Sequence, residues 1–189
     1  MDTKEKIYKK ASELFLKQGY DNTPMSHIAK ALGLSKAGLY HHYPSKENLL
    51  FDIINYFKEK DFDPVYKEAV KIPDPEERLI FFLRKYTEIL TGSAYGRITI
   101  HEARRLKPYH FKKTEKVWRM TFDIIKNAIS EMQALGKAKD INSAFAAFAV
   151  IGMCTWTFYW FDYTRKESGK ELSEVFLEIF LKGITKGNE

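Results

Sequence analysis

The chain has 189 residues, with 44% hydrophobic residues, 30% charged residues, a formal net charge of +6 and an isoelectric point near 9.2. That length buries a core in one or two compact units, and the basic balance fits a polyanion partner without demanding one. One cysteine, Cys154, excludes an intrachain disulfide and suits a reducing cytoplasm, where we expect the protein to act.

Met1 leads into a charged amphipathic segment, so no secretory signal is expected. Lys4 to Gln18 reads as a helix with Ile7, Ala11, Leu14 and Phe15 on one face, ended by Gly19. Lys4, Lys6, Lys9 and Lys10 near its start read mainly as a solvated face, with contact to flanking phosphate as the other reading.

Thr23 to Lys46, TPMSHIAKALGLSKAGLYHHYPSK, is the most informative stretch. Thr23 reads as a cap, with Pro24 at the first helical position. A short helix follows with Ile28, Ala29 and Leu32 on one side, and Gly33 supplies the turn. Ser35 is a second N-cap, and Lys36 to Tyr43 is a second short helix with Leu39 facing in and Pro44 as its stop. Two short helices joined by a glycine turn make a helix-turn-helix. Lys36, Ala37, Gly38, Tyr40, His41 and His42 then face outward, where they could enter a DNA major groove. An ordinary helical hairpin with a solvated face has the same spacing.

The run IAKALGLSKAGLYHHYPSKENLL, Ile28 to Leu50, resembles the DNA-binding domain of the TetR family of transcriptional regulators. The likeness extends upstream through Ile7, Ala11, Leu14, Phe15, Gly19 and Tyr20, about the first quarter of the chain. The resemblance implies a homodimer binding a double-stranded operator. Ser35, Lys36, Gly38, Tyr40 and His41 would face the groove, with Thr23, Tyr43 and Lys46 holding phosphates. Pro24 departs from the Thr or Ser common in the family, so the phosphate contact there is expected from Thr23, Ser26 or backbone N–H groups.

Lys46 to Lys60 reads as a fourth helix, with a break at Pro64 and through Ile72 to Glu77. In the TetR family this fourth element links the DNA-binding and regulatory domains. We place the boundary inside it: 1–55 for the helix-turn-helix domain and 56–189 for a ligand-binding and dimerisation domain. The remainder reads helical: Glu76 to Leu90, Ala94 to Leu106, Tyr109 to Leu135, a helix from a cap at Asp140 to Lys166, and Glu171 to Ile184. The expected fold is all-α, with a three-helix N-terminal domain and about nine helices in total. The apolar run Ala144 to Phe161, bounded by Asp140 and Asp162, reads as a buried helix, and no membrane partner is expected.

Phe158, Trp160 and Phe161, with Val175, Phe176, Ile179 and Phe180, are more apolar than one packing face needs. A two-fold four-helix interface would cover them, as the family resemblance also implies, and a thick monomer core is the other reading. Phe82, Tyr86, Tyr95, Ile98, His101, Met120, Ile124, Met153 and Trp156 are inward positions for a pocket holding a bulky apolar ligand; plain core is the other reading. Arg97, Arg104, Arg105 and Lys107 are suited to a phosphate or carboxylate, or form a solvated basic turn. GMCTWTFYWF also loosely resembles TetR-type regulators of lipid and steroid breakdown. That likeness implies an acyl-CoA effector with its head group on the basic residues, Arg104 and Arg105 among them.

No GxSxG, P-loop or HExxH pattern occurs. His101, Glu102 and His110 have no metal-ligand spacing, and Cys154 lies in an apolar helix as a small hydrophobe. We therefore expect a repressor released from a palindromic operator by a small apolar or acyl-CoA ligand, with no metal, no cofactor and no enzymatic activity; a small-molecule binding protein or an all-helical enzyme without specific DNA binding is the other reading.

Overall fold

The computed structural model describes residues 3–160 and 169–186, without the side chains of 158–160. The described residues form α1 (Thr3–Gln18), α2 (Met25–Ala31), α3 (Lys36–His42), α4 (Lys46–Phe57) and a wide helical turn (Lys58–Phe62). After these come α5 (Asp63–Ala69), α6 (Pro75–Gly92), α7 (Ala94–Glu102) and a tight turn (Ala103–Arg105). The series closes with α8 (Pro108–Ala134), α9 (Ser143–Trp160) and α10 (Gly169–Ile184). No strand occurs among them; one bridge pairs Ala138 with Thr185.

The expected helices are present among the described residues, although the expected helix end at Lys166 lies outside them, and α5 is added where Pro64 was read as a break. Proline at the start of a helix loses no hydrogen bond, since the first N–H groups have no intrahelical acceptor, and Pro64 occupies that position. The cap of α9 is Asn142, whose side chain accepts from Ala144 N and Phe145 N at 3.0 and 3.1 Å, and not Asp140.

The chain divides into two compact units, 1–58 with 93–115, and 59–92 with 116–189. In the first, α2 packs on α3 and α1, while α7 packs along α1 and α4. Its core holds Ile7, Ala11, Phe15, Ile28, Leu39, Leu49, Leu50, Ile53 and Ile98, each at most 1% exposed. Residues 93–115 therefore complete the unit that carries the helix-turn-helix. In the second, α6 packs against α5, α9 and α10. Its core includes Phe62, Phe82, Ile125, Ile129, Met132, Val150 and Cys154. Arg84 fixes α6 to α10 through two hydrogen bonds to Glu174 at 2.6 and 3.1 Å. Cys154 lies 3.3 Å from Thr87 Oγ1, and burial pushes its thiol up to about 11, so it packs as a small hydrophobe.

Candidate nucleic-acid interface

The turn between α2 and α3 is set by Gly33 at φ +68°. Leu34 N donates to Ala29 O at 2.9 Å and Gly33 N to Lys30 O at 3.1 Å, which satisfies the last carbonyls of α2. A side chain at Gly33 would be strained in that left-handed conformation. Ser35 then caps α3: its Oγ accepts from Gly38 N at 2.9 Å. A Cβ on Gly38 would lie 3.1 Å from that same Oγ, so glycine keeps the capped turn uncrowded.

Leu39 is fully buried and anchors α3, a burial of roughly 1.5–3 kcal/mol. Helical geometry then turns Lys36, Ala37, Tyr40, His41 and His42 outward, and all five are exposed. Lys36 Nζ stands 5.9 Å from the centroid of the Tyr40 ring. Ser26 is exposed in the first turn of α2, whose N-terminus has no side-chain cap because Pro24 takes the N-cap position.

Three expected phosphate contacts are placed elsewhere. Thr23 is fully buried, and its hydroxyl donates to Gly19 O at 2.8 Å, closing the end of α1. Tyr43 is 3% exposed, with its ring packed 6.1 Å from that of Tyr8. Its extended backbone at the end of α3 turns the ring inward. Lys46 Nζ donates to Tyr20 O at 2.7 Å and Asp21 O at 3.3 Å, and stands 4.3 Å from the Tyr20 ring centroid. Burial, the leading cause, lowers the Lys46 pKa. Burial first, then Glu47 and Asp21, pushes the Tyr20 phenol up to about 12.

Around this lysine lies a constellation that sequence spacing did not reveal. Arg105 bonds Asp21 at 2.5 Å and Glu102 at 2.7 Å. Glu47, in the first turn of α4, accepts from Lys107 N at 3.0 Å and lies 2.7 Å from His110 Nδ1. The His110 ring stacks on Phe51 at 3.9 Å. Tyr56 donates to Glu5 at 2.6 Å and meets Tyr95 edge-on at 5.2 Å. The corner from Glu102 to His110 is thereby strapped to the helix-turn-helix. The sequence signals were an acid at the start of α4 and a basic run sixty residues later, with nothing to pair them.

Residues 7–53 match the family described as bacterial regulatory proteins, tetR family, and residues 73–184 match the tetracyclin repressor-like C-terminal domain. The chain belongs to the TetR family of transcriptional regulators. It is 30% identical over 199 residues to the HTH-type transcriptional regulator QacR of Staphylococcus aureus, a match covering 98% of this chain and 100% of QacR. It is 31% identical over 116 residues to IcaR of the same species, the negative regulator of the biofilm operon icaADBC, covering 50% of this chain and 61% of IcaR. Among solved structures, AibR in complex with isovaleryl coenzyme A and operator DNA superposes with a TM-score of 0.87 at 27% identity, covering 94% of this chain and 97% of AibR.

In this TetR-family chain the expected effector residues divide between the units. Tyr95, Ile98, His101, Arg104 and Arg105 belong to the first. Ile98 is fully buried, Arg104 is exposed, and Arg105 is committed to Asp21 and Glu102. Burial, ahead of the neighbouring charges, lowers the His101 pKa.

In the second unit, Phe82 and Tyr86 stack at 5.5 Å within the core, and burial raises the Tyr86 phenol. Ile124 lines a surface depression of about 170 Å³ with Tyr66, Val70, Arg78, Asp123, Asn127 and Glu131, smaller than a typical ligand pocket. Met120 and Met153 are half-buried.

Trp156 is 64% exposed, on an outer stripe of α9 with Phe145 (71%) and Phe148 (63%), and so does not point into the core. On α10, Val175 and Ile179 are exposed at 51% and 58%, and Phe176 is half-buried. Phe180, at 7%, belongs to the core of its own unit, because its helical face is the one that carries Leu177 and Ile184 inward. The side chains of Phe158 and Trp160, and all of Phe161, lie outside the described residues. No group of three or more potential metal ligands occurs among the described residues, and none of the described helices is long and apolar enough to cross a membrane.

Proposed function

We propose that this regulator is a sequence-specific repressor, with no enzymatic activity, that acts in the cytoplasm as a homodimer. A small apolar or acyl-CoA ligand would release it from a near-palindromic operator. The observation that carries the reading is the outer face of α3, where Leu39 and the Ser35 cap hold Lys36, Tyr40 and His41 outward. Lys36 has the reach and donors for guanine O6 or N7, and Tyr40 can meet a thymine methyl or a phosphate. Half-sites about one helical turn apart, roughly 34 Å, would match a two-fold dimer.

The homodimer is supported by the exposed stripes on α9 and α10, which are larger than a solvated surface favours. Repression is supported by the likeness to IcaR, and an acyl-CoA effector by the likeness to AibR. An effector acts only if it prefers a state that does not bind the operator. The chain passes between its two units at 58/59, 92/93 and 115/116, so a shift in one has three covalent routes to the other.

The test is selection of duplexes from a random pool, followed by titration at physiological salt. A palindromic consensus that Lys36→Ala relaxes at one base position per half-site supports the reading. Unchanged affinity and preference in Lys36→Ala overturns the groove assignment. Isovaleryl-CoA and longer acyl-CoA thioesters are then added to the preformed complex, and release identifies the effector class.

A further inference from the structure

We propose that the corner between the Ala103–Arg105 turn and α8 is a second DNA contact of this unit. It would hold backbone phosphates that flank the half-site read by α3. The inference rests on the DNA-binding reading above and extends it to a surface outside the helix-turn-helix.

Charge is the first ground. Residues 102–113, EARRLKPYHFKK, contain five Lys or Arg and one Glu, a net of +4 within a chain of +6. Most of the chain's excess charge is thus concentrated in twelve residues of one unit, and position decides which charges meet phosphate.

The second ground is that the acids nearby are already occupied. Arg105 takes both Glu102 and Asp21, and Glu47 is engaged by His110 and by the backbone N–H of Lys107. Arg104, Lys107, Lys112 and Lys113 are exposed and enter no ion pair among the described residues. Exposed lysines such as Lys17, Lys30 and Lys67 are also unpaired among the described residues, so what sets the corner apart is four such cations within ten residues. The corner is therefore a cluster of free cations on a fixed support.

Placement is the third. The bond from Lys107 N to Glu47 fixes this corner at the first turn of α4, two residues after the Pro44 that ends α3. A cation held there extends the surface of the helix-turn-helix. Tyr109 adds a 68% exposed ring with Lys113 Nζ 4.4 Å from its centroid. Tyr109, Lys112 and Lys113 follow the three-four spacing of one α8 face. An exposed phenol among lysines can donate to a phosphate oxygen, which suits a sugar–phosphate backbone better than an apolar protein face.

The experiment uses the full chain and two forms of the selected duplex, one with ten-base flanks and one trimmed to the half-sites. The logarithm of the binding constant is plotted against the logarithm of salt. Each phosphate neutralised contributes about 0.9 to the slope, so Lys107→Ala/Lys112→Ala/Lys113→Ala should lower it by about 2 to 3 on the flanked duplex. Base preference should be unchanged, and on the trimmed duplex the variant and the parent should have equal slopes. The charge reversal Lys112→Glu/Lys113→Glu should weaken flanked binding further, with unaltered thermal unfolding as the folding control.

Equal slopes on the flanked duplex overturn the proposal. So does an equal loss on both duplexes, which would place the contacts inside the half-site. Unchanged slopes with lost release by acyl-CoA would also overturn it and make the corner a nucleotide head-group site. If the parent itself shows no salt-resistant specific binding, the DNA-binding reading fails, and this inference fails with it.

Discussion

Lys46→Ala removes an ammonium that donates to two carbonyls of the turn between α1 and α2 and lies over the Tyr20 ring. The bond to Tyr20 O, at 2.7 Å, is charge-assisted, a type that contributes about 1.5–3 kcal/mol when made by a charged group. The cation–π contact adds about 0.5–1 kcal/mol, and the bond to Asp21 O is long at 3.3 Å. Burial of the ammonium, visible in its lowered pKa, opposes these gains. The net loss should be about 2 kcal/mol, or about 4–8 °C in Tm for a chain of this size. The assay is thermal unfolding by circular dichroism at matched protomer concentration, because dimerisation makes Tm concentration-dependent. It is paired with the salt slope of operator binding. Since both close partners of this ammonium are protein carbonyls, the slope should hold while Tm falls. An unchanged Tm with a slope lower by about one would show that Lys46 holds a phosphate and refute the reasoning.

Ile179→Asp places a charge on the exposed stripe of α10, 58% accessible in the protomer. It should convert the dimer to monomer, because an unpaired charge would be buried at the interface. Sedimentation velocity reads this directly, and an unchanged mass would remove that stripe from the interface. For His101, burial lowers the folded pKa below its ordinary 6.5, so the unfolded chain takes up the proton first as pH falls. Stability should therefore decline as pH drops through 6.5 and level off below the folded pKa. His101→Gln should flatten that decline in urea midpoints measured from about pH 7 to 5, and superimposable curves would show that other groups cause it.

What could be read from sequence follows the range of the forces involved. The cap at Ser35, the turn at Gly33 and the inward Leu39 are local features, each fixed by residues within five positions, and all three stand in the structure. Thr23, Tyr43 and Lys46 were read from their place in the motif, but the burial of the first two and the hydrogen bonds of Lys46 are decided by what packs on them. The bond from Lys46 to Tyr20 O spans 26 residues, and those from Lys107 N and His110 to Glu47 span 60 and 63. Periodicity carries no record of such pairs. It also places a whole helix face inward without saying which unit's interior the face meets. Phe82 and Tyr95 were grouped in one expected pocket, and the structure assigns them to different units.

The same distinction governs the basic residues. Net charge counts Lys46 and Arg105 equally with Lys36 and Lys107, yet the first two are spent within the fold, on carbonyls and carboxylates of the α1–α2 turn and of α7. Arg105 is neutralised by two carboxylates, and Lys46, though it keeps its charge, has two of its donors committed to carbonyls, so each should displace few of the cations condensed on DNA and add little to the salt slope. Lys36 and Lys107 have exposed ammonium groups and no carboxylate partner among the described residues. The lysine on α3 should govern which sequence is bound, and the lysine at the corner how steeply binding falls with salt. Because the corner is fixed to α4 through Glu47, Glu47→Ala should lower the salt slope without removing a single cation. Glu47→Gln, which can still accept from Lys107 N, should retain most of it. A Glu47→Ala slope equal to that of the parent would show that the corner keeps its place without the strap.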